Sequence, residues 1–357
     1  MSERILFLSH SHAFGPFRVG SHHYARTLAT QGADVVHLST PISLAHRVTG
    51  RIGREAATVV PTGAHPDADG VTHLVPRTLV PVPYGRFRVA AALEHAGIDT
   101  AFDAVLIDQP LLWDASVPTL APRLVYRPTD LYPEGVKNML QRRIVASADG
   151  IVATSGEVLR GLGPVDVATL VIENGVDAAR FTADDDAPRP GVCVYVGALD
   201  ARFDDGRVDA WARSHPQVRF TIAGPGDAPA ALRTPNIDVI GAVPYDELPR
   251  LLRGARVGLL PLSDDPLNAG RSPMKLYEYL AAGLAVVARE TPVIRADEAN
   301  GVFTYAGPDD ADAALERALA HPSPNVPGVR RAAAESWEAK TQALREFVWR
   351  LPERRTS

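Results

Sequence analysis

The chain reads RSPMKLYEYLAAGLAVVA from Arg271 to Ala288, and this stretch predicts a short helix, a glycine stop and a buried strand. Ser272 is a suitable N-cap, and Pro273 suits the first helical position because its missing N–H costs nothing there. Gly283 can end the helix in a left-handed conformation that other residues resist. A helix that leads directly into a buried strand is typical of a parallel α/β domain.

Met274 and Lys275 fall in the first turn of this helix, where free backbone N–H groups and the helix dipole attract anions. Glu278 follows three residues after Lys275, so both side chains project from one face. A nucleoside diphosphate needs N–H groups and an ammonium for its phosphates, and a carboxylate for its ribose hydroxyls. The same residues are equally typical of a surface helix with an i,i+3 ion pair, and the stretch alone leaves both interpretations open.

Elsewhere, short apolar runs alternate with longer helical patterns, which indicates parallel βα units. The first series of predicted strands is Ile5–Leu8, Val35–Leu38, Ala104–Ile107, Leu124–Tyr126, Ile151–Ala153 and Leu170–Ile172. Helices are predicted among them at Ser21–Gln31, Arg88–Ala96 and Val136–Ala146. A second series of strands follows at Val192–Val196, Arg219–Ile222, Ile237–Ile240, Val257–Leu260 and Ala285–Val287. The fold class is therefore α/β, with two Rossmann-like, doubly wound domains of parallel sheet.

The boundary between the two series is an acidic, proline-bearing segment without periodicity, which is typical of a linker. We predict an N-terminal domain over 1–177, a linker over 178–190 and a C-terminal domain over 191–330. The closing segment, 331–357, belongs to a last helix predicted from Gly328 to Trp349. An apolar stripe on that helix should pack on a core, and it consists of Trp337, Leu344, Val348 and Leu351.

Composition excludes several classes of protein. The length of 357 residues fits two domains, and the formal net charge of −5 gives no reason to expect a nucleic acid partner. Cys193 is the single cysteine, which excludes an internal disulfide framework and a cysteine-based zinc site. The first apolar run is too short for a signal peptide, and none approaches the ~18–20 residues of a membrane span. We therefore expect a cytoplasmic protein, with peripheral contact at the inner face of the cell membrane as a further expectation.

The segment 71–93 is the reason for considering a membrane. It contains Arg77, Arg86 and Arg88 among apolar side chains and has no acidic residue. An amphipathic patch of this kind would suit a lipid-linked acceptor. Its prolines argue against a continuous helix, so a mobile acceptor loop is an alternative interpretation.

The junction after the first predicted strand lies where open α/β proteins bind ligands. Gly20 lets the backbone approach a ligand closely, while Arg18, Ser21, His22 and His23 can contact an acceptor substrate. The histidines of this junction are too loosely spaced for a metal site, and no carboxylate joins them. The missing G-x-G-x-x-G pattern argues against a dinucleotide cofactor. Contact with an acceptor and an ordinary polar loop remain the two interpretations.

Asp130 follows the predicted strand Leu124–Tyr126 and falls at the same carboxyl edge. A carboxylate there could take a proton from a hydroxyl nucleophile within hydrogen-bond reach. Glu134 and Asp108 are the reserve candidates for this base. Asp130 is alternatively an ordinary loop or cap residue.

In the second domain, the candidate ligand contacts again follow predicted strands. Gly197 and Gly224 would let the chain pass close to a diphosphate, and Arg202 could pair with it. Ala242 and Tyr245 come after another strand, where backbone groups could contact a base. A single glycine after a strand is common, so the order of these motifs carries more information than any one of them.

That order resembles the GT-B glycosyltransferases. The matching motifs are an Asn-Gly-Val-Asp hinge at 174–177, Tyr-Val-Gly at 195–197, Ala-Gly-Pro-Gly at 223–226 and a Lys275…Glu278 helix ending in Ala-Ala-Gly. Within this group, Phe17-Arg18 with Ser21-His22-His23, and the run 272–275, look most like bacterial exopolysaccharide glucuronosyltransferases of the xanthan type.

The resemblance implies two Rossmann-like domains facing across a cleft, with the C-terminal helix crossing back to the first domain. It implies transfer of a sugar from a nucleotide sugar, most simply a UDP-sugar, to a glycan, a lipid-linked acceptor or a small molecule. The second domain would bind this donor, with Gly197, Arg202, Gly224, Ala242, Tyr245, Ser272, Met274, Lys275 and Glu278 in contact. Lys275 would meet the diphosphate and Asp130 would be the base. No metal and no cofactor beyond the co-substrate are expected.

Two departures from the family pattern bear on the mechanism. Gly270 stands where many retaining enzymes carry the first of two glutamates, which favours an inverting reaction, and Ala285 replaces a usual proline. A nucleotide-sugar epimerase of the same fold is the alternative enzyme. A non-catalytic nucleotide-sugar-binding protein is the alternative from another class.

Overall fold

Two α/β units make up the chain, each built on a sheet of mostly parallel strands. The computed structural model describes residues 2–15, 18–45, 60–82, 85, 87–182 and 189–354. The first unit comprises Met1–Glu173 with Lys340–Ser357, and the second comprises Asn174–Ala339.

The first unit has a large sheet whose strands follow the predicted rhythm. Its strands are β1 (Arg4–Ser9), β2 (Asp34–Ser39), β3 (Ile42–Ser43), β4 (Gly63–Pro66), β5 (Val71–Val75), β6 (Arg77–Thr78), β7 (Ala104–Ile107), β8 (Leu124–Tyr126), β9 (Gly150–Ala153) and β10 (Ala168–Val171). Eight of them pair in the order β10-β9-β8-β7-β1-β2-β5-β4, while β3 pairs with β6. Every pairing in these sheets is parallel except that of β4 with β5. The six strands predicted in this half are confirmed, whereas β3 to β6 were not predicted.

Helices connect these strands, and the three predicted ones are confirmed with ends shifted by about one residue. They are α1 (Gly20–Thr30), α2 (Val89–His95), α3 (Gly135–Val145) and the unpredicted α4 (Gly156–Arg160), with 3₁₀ turns at Pro110–Leu112 and Val117–Thr119. The parallel order places the carboxyl ends of β1, β7 and β8 side by side. Residues that directly follow these strands therefore share one edge of the sheet.

The second unit is a six-stranded parallel sheet. Its strands are β11 (Val192–Val196), β12 (Arg219–Ala223), β13 (Ile237–Gly241), β14 (Val257–Leu260), β15 (Ala285–Arg289) and β16 (Val302–Tyr305). They lie in the order β13-β12-β11-β14-β15-β16. From β11 the next strands in the sequence lie on one side of it, and from β14 onward they lie on the other side. Ligands of such sheets bind at the carboxyl edge beside this reversal. Alternate residues of β11 enter two apolar cores, one on each face, so the predicted doubly wound architecture is confirmed.

The helices of the second unit cover both faces of this sheet. They are α5 (Ala178–Phe181), α6 (Asp205–Ser214), α7 (Leu248–Arg253), α8 (Met274–Ala281), α9 (Pro308–Ala320) and α10 (Val326–Ala334). Short 3₁₀ turns lie at Tyr245–Glu247, Pro266–Gly270 and Glu298–Asn300. The start of the predicted linker is instead the helical turn α5, whose Phe181 is fully buried, and 183–188 lie outside the described residues.

The predicted last helix, 328–349, is in fact two helices. After α10 the chain breaks and resumes as α11 (Trp337–Arg350). At the break, Val176 N–H donates to Glu335 O at 2.9 Å, and Trp337 N–H donates to Val176 O at 3.2 Å. These bonds take backbone groups that a continuous helix would have used internally, so the helix cannot run through. The predicted apolar stripe is buried.

The segment 71–93 is not a single element. It contains β5, β6 and the start of α2, while Pro83, Tyr84 and Arg86 lie outside the described residues, as does Phe17. Within the part of the chain that the structure describes, no helix is both long enough and apolar enough to span a bilayer.

Candidate functional site

The helix of the deciding stretch is present as α8, and its glycine stop is confirmed. Gly283 has a φ of +77°, which a side chain would resist. Gly283 N–H donates to Leu280 O at 2.9 Å, and Leu284 N–H donates to Tyr279 O at 3.0 Å. These two bonds satisfy carbonyls at the helix end and turn the chain directly into β15.

The predicted cap at Ser272 is wrong. The residue that precedes the first helical turn is Pro273, and no side chain caps it. Ser272 Oγ instead accepts a hydrogen bond from Asn174 N–H at 3.0 Å, and Asn174 Nδ2 donates to Ser272 O at 2.7 Å. The Asn-Gly segment thus holds the start of α8 through these bonds to Ser272.

Tyr279 anchors α8 on the sheet. Its Oη accepts a hydrogen bond from Val196 N–H at 2.9 Å, at the last residue of β11. Its ring lies against Gly258 in β14, where a Cβ would be 2.3 Å from a ring carbon. Since that space is filled by the ring, position 258 accepts only glycine unless the ring moves. The start of α8 is thereby fixed beside the end of β11.

Two glycines form the edge of the sheet at this point. A Cβ at Gly224 would lie 1.6 Å from Gly197 O, so the two strand ends approach too closely for any side chain there. Gly197 N–H donates to Ala223 O and Gly224 N–H donates to Gly241 O, both at 2.8 Å. A Cβ at Gly197 would lie 3.2 Å from Lys275 Cε. The two predicted glycines and Lys275 are therefore brought together.

Lys275 shares this edge with two arginines. Burial lowers the pKa of Lys275, the positive charges of Arg271 and Arg202 lower it further, and Glu278 and Asp200 oppose the shift. Lys275 is therefore within electrostatic reach of all four of these charged groups. We call Arg202, Arg271 and Lys275 the cationic cluster. Arg271 was not predicted as a ligand contact, although it begins the stretch that decided the fold.

The guanidinium of Arg202 forms an ion pair with the carboxylate of Asp200. Its Nη2 lies 2.5 Å from Asp200 Oδ2 and its Nε lies 3.2 Å from Asp200 Oδ1. The hydrogen bond from Arg202 lowers the pKa of Asp200. This pair is partly exposed, and such pairs contribute little to stability. An incoming anion can therefore compete with Asp200 for the guanidinium at small cost.

Glu278 lies inside the unit, not on a surface face as the ion-pair interpretation required. It is only 6% exposed. Burial raises the pKa of Glu278 to about 7, against the opposing attraction of Lys275. Near neutral pH its carboxyl group is thus present in both protonation states. It can accept a hydrogen bond from a hydroxyl or donate one to it.

The remaining predicted donor contacts are placed differently. Met274 is the first residue of α8 and is half-buried, and Ala242 is exposed directly after β13. Tyr245 is buried, with its ring 5.9 Å from that of Phe181 and 5.3 Å from the guanidinium carbon of Arg180. The structure therefore assigns the Tyr245 ring to the core.

In the first unit, the predicted acceptor residues of α1 point largely inward. Gly20, Ser21, His22 and His23 are all buried. Ser21 Oγ lies 2.7 Å from Ser9 Oγ and 3.1 Å from His37 Nε2. The hydroxyl of Ser21 is thus used to join α1 to β1 and β2.

His22 and Arg18 hold the loop that precedes α1. Val19 N–H donates to His22 Nδ1 at 3.2 Å, so His22 Nε2 carries the proton and donates to Ser11 O at 3.0 Å. Arg18 Nη1 donates to Ala13 O at 2.6 Å and to Gly15 O at 3.2 Å. Both side chains therefore have a structural partner at the site where the sequence predicted substrate contacts.

A cluster of buried histidines, which the sequence did not predict, lies behind this loop. The ring of His37 is 4.7 Å from that of His22 and 5.5 Å from that of His73, centroid to centroid. His73 Nε2 lies 2.8 Å from Asp67 Oδ2. Burial lowers the pKa of all three histidines, which keeps them neutral at pH 7. We call His22, His37 and His73 the histidine cluster.

Asp130 and Asp108 occupy the carboxyl edge of β8 and β7 but differ in availability. Asp108 is buried and binds Arg127, with Nε to Oδ1 at 2.9 Å and Nη2 to Oδ2 at 2.5 Å. Asp130 is partly exposed, and its Oδ2 accepts a hydrogen bond from Thr129 Oγ1 at 3.2 Å. The ion pair removes Asp108 from the candidates for the base and leaves Asp130 able to meet a substrate.

His10 is a further group at this edge, directly after β1. Its side chain keeps access to solvent, desolvation lowers its pKa, and both Asp108 and Asp130 oppose that shift. The feature of the sequence that could have indicated His10 as a site residue was its position directly after a predicted strand. Over the described ranges, no group of three or more His, Cys, Asp or Glu side chains has an arrangement suited to a metal ion.

Comparison with known proteins gives a match within the second unit. Residues 190–321 match the family of group 1 glycosyl transferases. The matched range contains the glycine edge at 197 and 224 and the whole cationic cluster.

Curated relatives match longer stretches of the chain. TuaH of Bacillus subtilis, named as a glycosyltransferase of teichuronic acid biosynthesis, is 28% identical over 240 residues, or 61% of this chain and 59% of that protein. Glycogen synthase of Mycobacterium tuberculosis is 30% identical over 166 residues, or 40% of this chain and 38% of that enzyme. The chain thus spans about three fifths or less of the length of these relatives.

Solved structures match nearly the whole chain. Sucrose-phosphate synthase from Thermosynechococcus elongatus has a TM-score of 0.72 at 15% identity and covers 97% of this chain and 98% of its own. Anabaena HepE, solved in complex with UDP, has a TM-score of 0.65 at 15% identity and covers 98% of this chain and 100% of its own. These likenesses establish the predicted fold: two parallel-sheet α/β domains of the GT-B glycosyltransferases.

Proposed function

We propose that this protein transfers a sugar from a nucleotide-diphosphate donor, most simply a UDP-sugar, to an acceptor hydroxyl. The observation that carries the proposal is the cationic cluster beside the strand ends at Gly197 and Gly224, which approach each other too closely for a side chain. Lys275, Arg271 and Arg202 together repel one another electrostatically, so a diphosphate that binds among them relieves that repulsion. Stabilising charge on a leaving diphosphate is the main task of such a catalyst.

The roles of the other residues follow from their placement. Glu278, which titrates near neutral pH, would hold ribose hydroxyls from its buried position. Asp130 would take the proton of the acceptor hydroxyl, since Asp108 is committed to Arg127. The nucleophile would then displace the diphosphate in a single step with inversion, and the proposed reaction uses no metal.

The acceptor is proposed to be a glycan, a lipid-linked sugar or a small molecule, and the enzyme to act in the cytoplasm or at the inner face of the membrane. The finer likeness to xanthan-type glucuronosyltransferases remains a prediction about the sugar. It makes UDP-glucuronate the first donor to try.

A panel of nucleotide sugars tests the proposal. A donor that binds the native state raises the melting temperature, and the best donor should release UDP only when an acceptor is added. Release of an epimeric sugar without acceptor would identify the epimerase of the same fold. Donor binding without release under any condition would identify a non-catalytic binding protein.

A further inference from the structure

The helix α3 carries charge of one sign only. Between Gly135 and Val145 it contains Lys137, Arg142 and Arg143 and no acidic residue. Both arginines are exposed. The nearest acidic residue along the chain is Glu134, which precedes the first helical residue. The solvent side of this helix is therefore positive near its C-terminal end, where Arg142 and Arg143 lie.

The same side of α3 exposes apolar side chains. Val136 and Met139 are 47% and 48% exposed, and only Gln141 and Ile144 of this helix are buried. Residues at spacings of three, four and seven share a helical face, so Val136, Met139 and Arg143 form one stripe. A helix with basic and apolar residues on its outer face, and little buried, is typical of an interfacial helix.

A groove with both apolar and polar lining residues continues this stripe. It has a volume of about 790 Å³, with Val136 and Leu140 of α3 on one wall and Phe87, Leu111 and Trp113 among its other lining residues. Two acidic residues, Glu94 and Asp114, also line it. The Asp114 carboxylate accepts hydrogen bonds from Val89 N–H and Ser116 N–H, so its charge is already engaged within the unit.

We propose that α3 and this groove form the surface by which the first unit docks on a bilayer with anionic headgroups. The basic residues complement the negative headgroups, and the apolar stripe enters the boundary between headgroups and acyl chains. This inference deepens the proposed function. It rests on that function in one respect, because a glycosyltransferase with a lipid-linked acceptor would meet its acceptor at a membrane.

The placement suits a lipid-linked acceptor. The helix α3 begins five residues after Asp130, and Lys137 Nζ lies 4.8 Å from the ring centroid of Tyr132 in the intervening loop. A lipid seated against the first turn of α3 would therefore present its headgroup next to the proposed base. This surface shares the groove residues near Phe87 with the segment 71–93, on which the sequence had placed membrane contact, and adds α3 to it.

Co-sedimentation of the full chain with vesicles tests the surface. Vesicles of phosphatidylcholine alone are compared with vesicles that also contain phosphatidylglycerol. We expect binding to the anionic vesicles and weak binding to the neutral ones. Each basic residue near an anionic surface contributes about 1 kcal/mol, so R142Q/R143Q should bind about 30-fold more weakly. M139Q should weaken binding severalfold because it removes an apolar contact.

Matched variants in the second unit provide the controls. R233Q/R330Q changes the net charge equally, and I240Q replaces an apolar residue that is also 48% exposed. Both should bind like the unmodified chain, and all variants should keep its melting temperature. The proposal is overturned if R142Q/R143Q binds as tightly as the unmodified chain, or if no anionic vesicle is bound. UDP binding is measured without vesicles, so vesicle binding in a chain that does not bind UDP would refute the proposed function alone.

Discussion

Lys275 lies where desolvation and two neighbouring arginines both disfavour its charge. The pKa of Lys275 is lowered for this reason, and Glu278 and Asp200 oppose the shift. A dianionic ligand reverses the sign of the interaction for all three cations at once. The side chain is therefore suited to binding charge that grows during a reaction, not merely to an ion pair on a surface.

Lys275→Ala should lower turnover by about 10²–10³-fold, because it removes one donor from the group that we propose stabilises the leaving diphosphate. Arg233→Ala is the matched control, since Arg233 is an exposed cation of the same unit outside the cationic cluster. Steady-state release of UDP in the presence of acceptor measures the effect. Near-normal turnover of the Lys275 variant would exclude this residue from the mechanism.

Asp130→Asn should abolish transfer while UDP still binds with unchanged affinity, because the amide cannot accept the proton. Asp108→Asn should behave differently. It leaves the buried Arg127 charge without its partner and should cost about 3–5 kcal/mol of stability. Urea unfolding and UDP titration on both variants separate the two roles. An active Asp130 variant would mean that another group, with His10 as the first candidate, is the base.

Residue types alone predicted part of this site. The positions of Gly197, Gly224 and Lys275 after strands and at a helix start were enough to bring them together. The contribution of Arg271 was not visible, because whether a side chain before a helix reaches the same point depends on the loop geometry. Ser21 and His22 were polar residues beside a strand end, and nothing in their spacing indicated that α1 would turn them inward.

At the scale of elements, the ends of β11 and β12 at Gly197 and Gly224 are so close that one added methyl group would push them apart. Gly224→Ala places a Cβ 1.6 Å from Gly197 O, so the backbone beside Lys275 must move. We expect loss of stability and of UDP affinity together. Gly206→Ala is the control, because its Cβ would meet nothing closer than 3.5 Å and it lies in α6. That variant should gain about 0.4–1 kcal/mol and bind UDP normally.

The histidine cluster makes the first unit sensitive to acid. The folded-state pKa values of His22, His37 and His73 lie below the unfolded value of 6.5, so the unfolded chain takes up protons first as pH falls. Stability is therefore full above pH 6.5 and declines below it, with a slope of at most about 1.4 kcal/mol per pH unit for each histidine that stays neutral in the folded state. The raised pKa of Glu278 acts in the opposite sense between about 4.5 and 7, but on the stability of the second unit.

Urea unfolding at several pH values between 5 and 7.5 measures this decline. Because Glu278 contributes in the same window, the informative quantity is the difference between the unmodified chain and His37→Asn. The variant should show a shallower decline on acidification. His95→Gln, which changes an exposed histidine at the end of α2, should retain the full slope. Equal slopes for all three proteins would contradict a role for the histidine cluster.

The pattern of short apolar runs predicted the buried parallel strands well because both faces of these strands are apolar. It did not predict α6 or α9, although Asp204 caps the first through Arg207 N–H at 2.8 Å and Pro308 begins the second. It also did not predict the break between α10 and α11. That break depends on Val176, which is distant in sequence, so local propensity could not reveal it.

The whole molecule consists of two units with separate cores, and a single two-state transition is not the expected behaviour. Calorimetry should resolve two transitions, of which UDP raises only the one that belongs to the second unit. At a hundred times the dissociation constant the stabilisation should be about 2.7 kcal/mol. Lys275→Ala should reduce that shift, while R142Q/R143Q should leave it intact. An equal shift of both transitions would indicate that UDP binding involves the first unit as well.

The ring of Tyr279 and the missing side chain at Gly258 limit which substitutions can occur at each other's position. A larger residue at 258 collides with the ring, and a smaller residue at 279 leaves a void and an unbonded amide at the end of β11. A substitution at either position alone therefore gives a destabilised variant. Descendants of this sequence should therefore inherit the two as a pair, and a lineage that abandons the tyrosine should be the one in which position 258 becomes free to vary.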